Sequence, residues 1–164
     1  MSDVKIKKAK IKDDLFLEVE YTEELEGHSK KDTKLSCTVP VHDDLKNAFK
    51  SLDMHMAILC DELSPKDVTK KIDDYTAKGF TVTGNDENEG ITITGFKDGK
   101  YGTVNLNTPN QKYESSEYNG INDLAAVIEE CLHEVNEYLF NGKRAPEKQL
   151  EMDFEEETEN VEAR

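Results

Sequence analysis

The chain has 164 residues and a formal net charge of −15, from 36 acidic and 21 basic residues. That length suits one domain with a sizeable core plus a tail. The acidic balance argues against broad electrostatic binding to nucleic acid, which requires clustered cations. No secretory segment opens the chain, and no apolar run approaches the roughly 18–20 residues that span a bilayer. We therefore expect a soluble, cytoplasmic protein.

The first elements in chain order are strands. Residues 4–12 predict a weak strand that turns at Asp13 and Asp14. Apolar residues alternate with other side chains over 15–21 and again over 35–41, a period of two that predicts half-buried strands. Three cysteines are distributed singly in apolar patterns, which indicates free thiols in a reducing compartment. They are Cys37, Cys60 and Cys131.

The first strand is unusually rich in lysine. A row of lysines discourages edge-to-edge aggregation when it lies on an edge strand, and this is the interpretation we favour. The alternative is a strand that contacts phosphate groups. The lysines concerned are Lys5, Lys7, Lys8, Lys10 and Lys12.

The period changes after residue 42. Apolar residues at helical spacing predict a helix from about 43 to 62, with Asp43 or Asp44 as its cap. A second, shorter helix is predicted to start at Ser64 and to end before Gly79.

A second set of strands follows, near 80–82, 91–93 and 101–106, with a hairpin turn at Asp98 and Gly99. A long amphipathic stripe then predicts a further helix, with Asn122 as its N-cap and Gly142 as its stop. The fold class is α+β: a mostly antiparallel sheet of about six strands with two long helices on one face. Three strands and a helix, twice over, also suggest a duplicated βββα unit. We expect a single domain over 1–146 and a disordered acidic tail over 147–164.

The body contains no recognisable catalytic pattern. His133 and Glu134 start like the zinc motif HExxH, but the second histidine is absent. Asp53 and His55 are expected on the polar side of the first long helix, and the oxygen-rich segment 85–90 is expected to be a solvated turn. The sequence therefore predicts a protein that is not an enzyme and holds no metal or cofactor.

Two aromatic residues in the second half have lysine neighbours. Phe96 precedes Lys97, and Tyr101 follows Lys100. Packing within a hairpin explains both aromatics, and this is the interpretation we favour. The alternative is that they stack on the bases of a single-stranded nucleic acid at a sheet face.

The tail has its own pattern. Residues 147–164 carry eight carboxylates and two cations, a net charge of −6. Within them, 149–154 read Gln-Leu-Glu-Met-Asp-Phe. Three large apolar residues within five positions of an acidic tail indicate a peptide that docks into a pocket on another protein. The alternative is a strand that folds back on the body, since the apolar residues also have a spacing of two.

The segment 149–154 resembles the short peptide by which bacterial polymerases and mismatch-repair proteins bind the sliding clamp. The resemblance covers six residues and implies nothing about the fold. It implies that Gln149 binds the pocket rim, that Leu150 and Met152 fill the cleft and that Phe154 fills the adjoining pocket. The eukaryotic form has aromatic residues where this chain has two glutamates, so a bacterial or phage setting is expected.

Three functions follow from these patterns. The leading hypothesis is a non-catalytic accessory factor in DNA replication, recombination or repair, tethered to a sliding clamp by 149–154. The first alternative is an acidic phage-type inhibitor or DNA mimic that blocks a host DNA-processing or defence protein. The second is a domain that binds single-stranded nucleic acid through 4–12 and the aromatics of 96–113.

Overall fold

A computed structural model describes residues 4–27, 29–84 and 86–145. The strands are β1 (Val4–Lys12), β2 (Phe16–Glu24), β3 (Lys30–Ser36), β4 (Tyr75–Thr83), β5 (Gly90–Gly99), β6 (Gly102–Asn107) and β7 (Gln111–Lys112). The α-helices are α1 (Asp43–Lys50), α2 (Leu52–Asp61), α3 (Pro65–Lys71) and α4 (Ile121–Phe140), and 3₁₀ turns cover Ile72–Asp74 and Asp86–Asn88.

All seven strands form one antiparallel sheet in the order β3-β2-β1-β4-β5-β6, with β7 paired to the start of β5. Apolar side chains from one sheet face pack with α1, α2 and α4 in a single core. The opposite face is not covered by any helix of the described residues. The predicted α+β class, with an antiparallel sheet and helices on one face, is confirmed.

The sheet has internal two-fold symmetry. The two central strands meet at three residue pairs, in which Ala9 lies opposite Phe80 and is flanked by Lys8 opposite Thr81 and Lys10 opposite Gly79. In strand order, a two-fold rotation about the Ala9–Phe80 pair relates β1, β2 and β3 to β4, β5 and β6. Both central strands carry a register shift, at Lys7 in β1 and at Lys78 in β4, and the two shifts are equivalent under this rotation.

The helices follow the same repeat. In α1 and α2 the buried stripe is Leu45, Phe49, Leu52 and Met56, and in α4 it is Leu124, Ile128, Cys131 and Val135. The spacing along the chain is the same in both stripes. The topology thus has the symmetry that a duplicated βββα unit predicts.

The predicted helix over 43–62 is two helices. The Ser51 side chain donates a hydrogen bond to the Asn47 carbonyl, 3.2 Å away, which is a contact that competes with the helical hydrogen bonds and bends helices. The bend separates α1 from α2 and keeps the apolar stripe continuous. Asp53 and His55 of α2 are both buried, so the expectation that they lie on a polar face is wrong.

Two strand boundaries also differ from the predictions. β3 covers Lys30–Ser36 rather than 35–41, because 37–41 leave the sheet to pack beside the end of α4, where the Tyr138 hydroxyl donates to the Val39 carbonyl. Tyr75 begins β4 instead of continuing α3. Gly79, expected to lie just beyond a helix, is in the middle of β4. The hairpin turn falls at Lys100 and Tyr101, two residues later than predicted.

The last described residues are attached to the body. After α4, the amide of Ala145 donates to the Pro40 carbonyl at 3.1 Å, and Arg144 forms an isolated antiparallel bridge with Val41. Lys143 contacts the carboxylates of both Asp44 and Glu134. The tail therefore starts from a defined position next to the segment that connects β3 to α1. In the described part of the chain, no helix has the length and apolar character needed to cross a membrane.

Candidate nucleic-acid interface

The lysine-rich strand lies inside the sheet. β1 pairs with β2 on one side and β4 on the other, so the interpretation that its lysines protect a sheet edge is wrong. Since Ile6, Ala9 and Ile11 face the helices, the lysines project from the uncovered face. Lys7, Lys8, Lys10 and Lys12 are exposed, and Lys5 is half-buried with its Nζ 3.0 Å from the Gly84 carbonyl.

Polar and mostly uncharged side chains cover the second half of this face. Thr94 lies opposite Asn107 and Phe96 lies opposite Asn105, and Thr92 lies opposite Thr81. Between β1 and these strands runs a groove of ≈440 Å³. We call it the open-face groove; its polar and aromatic walls are Lys10, Lys12, Asp13, Lys78, Thr94, Phe96, Asn105 and Asn107.

The lysines of β1 differ in their ionic partners. Lys8 and Lys10 make no ion pair with any described residue. Lys7 is 3.9 Å from Asp32 and Lys12 is 4.0 Å from a Glu18 oxygen. Exposed pairs at such distances contribute at most about 1 kcal/mol, so a phosphate can replace the carboxylate at small cost. Lys8 and Lys10 lie directly opposite Glu20 and Glu18 in the register with β2, so an anionic ligand would contact these two amines next to carboxylates with which they form no ion pair.

A lysine and an aromatic ring meet at the groove wall. Lys78 is the extra residue of the β4 bulge, and its Nζ lies 5.3 Å from the centroid of the Phe96 ring. The same nitrogen forms an ion pair with Asp14. Sequence reasoning placed residue 78 at the end of a helix and therefore missed this cation.

The predicted contact residues are brought together only in part. The β1 lysines and Phe96 share one face, but Tyr101 lies at the tip of the β5–β6 hairpin and is 93% exposed. Thr94 is level with Lys10, because both residues lie opposite Gly79. β5 continues for five residues beyond Thr94 before the hairpin turn, so Tyr101 is roughly 17 Å or more from Lys10 along the strand direction, at about 3.4 Å per residue. Gln149, Leu150, Met152 and Phe154 lie outside the described residues.

Sequence reasoning also missed a buried polar cluster on the helix side. His55 is 1% exposed, with its Nδ1 2.7 Å from the Tyr118 hydroxyl and its Nε2 2.8 Å from an Asp123 oxygen. Burial lowers the pKa of His55, although the Asp123 carboxylate opposes that change. The cluster joins α2 to the start of α4 and to the loop before it.

A second cluster lies beside α2. Tyr75 donates to an Asp61 oxygen that also accepts from Lys97 at 3.0 Å. The Tyr75 hydrogen bond, with help from Lys97, lowers the pKa of Asp61. Among the described residues, no three His, Cys, Asp or Glu side chains are grouped so that they could hold a metal ion. All three cysteines are free thiols.

The comparisons with known proteins return nothing: no model of a known protein family, no curated protein and no solved structure matches this chain.

The open face combines the groups that proteins use to bind single-stranded nucleic acids. Proteins of that kind have a cationic groove that follows the nucleic-acid backbone and aromatic rings that stack on the bases. Here the cations are on β1 and at the β4 bulge, the aromatic ring is Phe96, and amide and hydroxyl groups of β5 and β6 add hydrogen-bonding capacity.

Proposed function

We propose that the protein is a non-catalytic accessory factor in DNA replication, recombination or repair whose open sheet face binds single-stranded nucleic acid. The position of β1 carries this proposal. A lysine-rich strand in the interior of a sheet has no edge to protect, and its lysines share an uncovered face with a groove that contains Phe96. Phosphate contacts require clustered cations, and two of the lysines on this face, Lys8 and Lys10, form no ion pair with a described residue.

The overall charge of −15 limits the strength of this interaction. Long-range attraction between the acidic body and a polyanion is absent, so binding depends on short-range contacts at the face itself, where the screening length is about 8 Å at physiological salt. We expect micromolar affinity. With three to five phosphates neutralised, the logarithm of the binding constant should fall with the logarithm of salt concentration at a slope of about −2 to −3.5.

Fluorescence anisotropy with a labelled oligothymidylate tests the proposal. The double variant Lys8→Glu/Lys10→Glu reverses the two lysines that lack an ion pair and should abolish binding. The matched control is Lys66→Glu/Lys70→Glu, because these exposed lysines lie on α3 and give the same net charge. Equal loss of binding in both variants would indicate a general charge effect, and no binding by the unaltered protein would refute the proposal.

A second candidate function is docking on a sliding clamp through 149–154. One observation favours it: the chain is held to the body as far as Ala145, so the resembling segment begins four residues beyond an attachment point. Clamp binding would occur in the cytoplasm of a bacterial or phage-infected cell. A peptide of 146–158 should bind a bacterial clamp with micromolar affinity by calorimetry. Leu150→Ala/Phe154→Ala should remove that binding, and Gln149→Ala should weaken it moderately.

A further inference from the structure

A second cavity adjoins the open-face groove. It has a volume of ≈430 Å³ and lies between α1, the turn Ile72–Asp74 and the start of β4. That volume is within the range of small-ligand sites. Its apolar walls include Phe49, Ile72 and Tyr75. Three lysines and three aspartates also line it: Lys46, Lys50, Lys78, Asp14, Asp53 and Asp73. The cavity therefore combines apolar walls with charges of both signs.

One buried carboxylate lines this cavity. Asp53 is 8% exposed, and its Oδ1 accepts a hydrogen bond of 2.7 Å from the Ala77 amide at the β4 bulge. Its Oδ2 accepts no hydrogen bond from a described residue. Burial raises the pKa of Asp53 to about 6, and the Ala77 hydrogen bond and the charges of Lys50 and Lys78 oppose that increase. Above pH 7 the Asp53 side chain is thus mainly a carboxylate, and it can accept further hydrogen bonds from a ligand.

The cavity and the open-face groove share two lining residues. Ile11 and Lys78 line both of them, at the end of the sheet where β1 turns into β2; the cavity lies on the helix side of the sheet and the groove on the open side. A strand that runs along Lys10 and Lys12 therefore reaches Lys78, from which a base has to turn around the end of the sheet to enter the cavity. Bases of single-stranded nucleic acid are free to rotate out of the stack and enter such a pocket.

We propose that this cavity receives one base of the bound strand and that the Asp53 carboxylate selects guanine. The inference rests on the proposed function of the open face. Guanine presents two adjacent donors, N1–H and the N2 amino group, on its Watson–Crick edge, and a carboxylate accepts such a parallel pair as it accepts an arginine fork. Thymine presents two carbonyl oxygens around one donor, and these oxygens would face the carboxylate oxygens.

Two oligonucleotides that differ in one base test this inference. A labelled 12-nucleotide oligothymidylate should bind about tenfold more weakly than the same oligomer with one central deoxyguanosine. One guanine per strand cannot form a four-stranded guanine structure. Replacing the guanine by hypoxanthine removes only the N2 amino group and should lose most of the gain. This comparison uses the unaltered protein, so it does not depend on whether a variant folds.

The variant Asp53→Asn provides the second part of the experiment. The amide oxygen can still accept from Ala77, but the side chain no longer offers two acceptor oxygens, so guanine and thymine oligomers should bind equally and at the thymine level. Equal affinity of the unaltered protein for both oligomers would overturn the guanine site and leave nucleic-acid binding intact. A guanine preference that persists in Asp53→Asn would also overturn it. If neither oligomer binds, the proposed function itself fails.

Discussion

Lys10 on β1 lies directly opposite Gly79 on β4, and the two backbones approach so closely that a side chain at 79 has no space. A Cβ atom there would be 2.4 Å from the Ala9 carbonyl oxygen and 2.9 Å from the Lys10 Cα. Among the described residues, three pairs join the two halves of the sheet, and this is one of them. The glycine therefore keeps the lysine strand in the middle of the face.

Gly79→Ala should destabilise the protein by about 1–3 kcal/mol, because the backbone of the central pair must separate to admit the methyl group. Thermal unfolding followed by circular dichroism measures the effect. Thr81→Ala, two residues along the same strand on the uncovered face, is the control and should cost less than about 1 kcal/mol. Equal stabilities for Gly79→Ala and the unaltered protein would show that the central strands are farther apart.

Asp53 should make stability depend on pH. Its pKa is about 6 in the folded protein, above the ordinary aspartate value of 3.8, so between these two values the folded state keeps a proton that the unfolded state releases. Stability from this group is present at pH 4 and is lost as the pH rises to 6. The difference corresponds to about 3 kcal/mol at 1.36 kcal/mol per pH unit.

The lowered pKa of His55 acts in the opposite direction, since the folded state then binds fewer protons near its titration. The comparison must therefore be between the unaltered protein and Asp53→Asn, by urea denaturation at pH 4, 5, 6 and 7. Asp53→Asn should gain relative stability as the pH rises. A constant difference between the two proteins would show that the carboxyl group is not desolvated.

Tyr118→Phe should cost about 1–3 kcal/mol. The substitution removes the hydroxyl that lies 2.7 Å from Nδ1 of the buried His55 and leaves that nitrogen without a partner. Tyr101→Phe is the matched control, because Tyr101 is 93% exposed and its hydroxyl makes no hydrogen bond with a described residue. The unfolding free energy of this variant should equal that of the unaltered protein. If both variants keep the stability of the unaltered protein, the His55 cluster does not join α2 to α4.

The spacing of apolar residues along the chain predicts most of the strands and helices of this fold. The alternation of Leu17, Val19 and Tyr21 marks β2, and the stripe from Leu124 to Tyr138 marks α4 within two residues at each end. Both signals arise from one face of an element packing against one core, which is a local property of the sequence.

The order of the strands in the sheet and the residues of the candidate site could not be predicted from the sequence. Nothing in the lysine pattern of β1 distinguishes an edge strand from a central one, because pairing partners are distant in sequence. Lys78 is the extra residue of the bulge before Gly79, and the buried Asp53 accepts a hydrogen bond from the Ala77 amide beside the same bulge. Both features depend on one backbone irregularity.

Truncation at two positions separates the body from the tail. A chain that ends at Pro146 keeps the Ala145–Pro40 hydrogen bond, the Arg144–Val41 bridge and both ion pairs of Lys143, so its melting temperature should match that of the full chain. A chain that ends at Gly142 loses all of them. Glu134, which is 8% exposed, then keeps a buried carboxylate without its cation.

The melting temperature of the shorter chain should therefore fall, and Glu134→Gln should restore part of the loss because the uncharged amide needs no cation. The restoration distinguishes the loss of the ion pair from general fraying of the chain end. A lower melting temperature in the chain that ends at Pro146 would instead show that 147–164 pack on the body. That result would favour the fold-back alternative for Leu150, Met152 and Phe154 over a docking peptide.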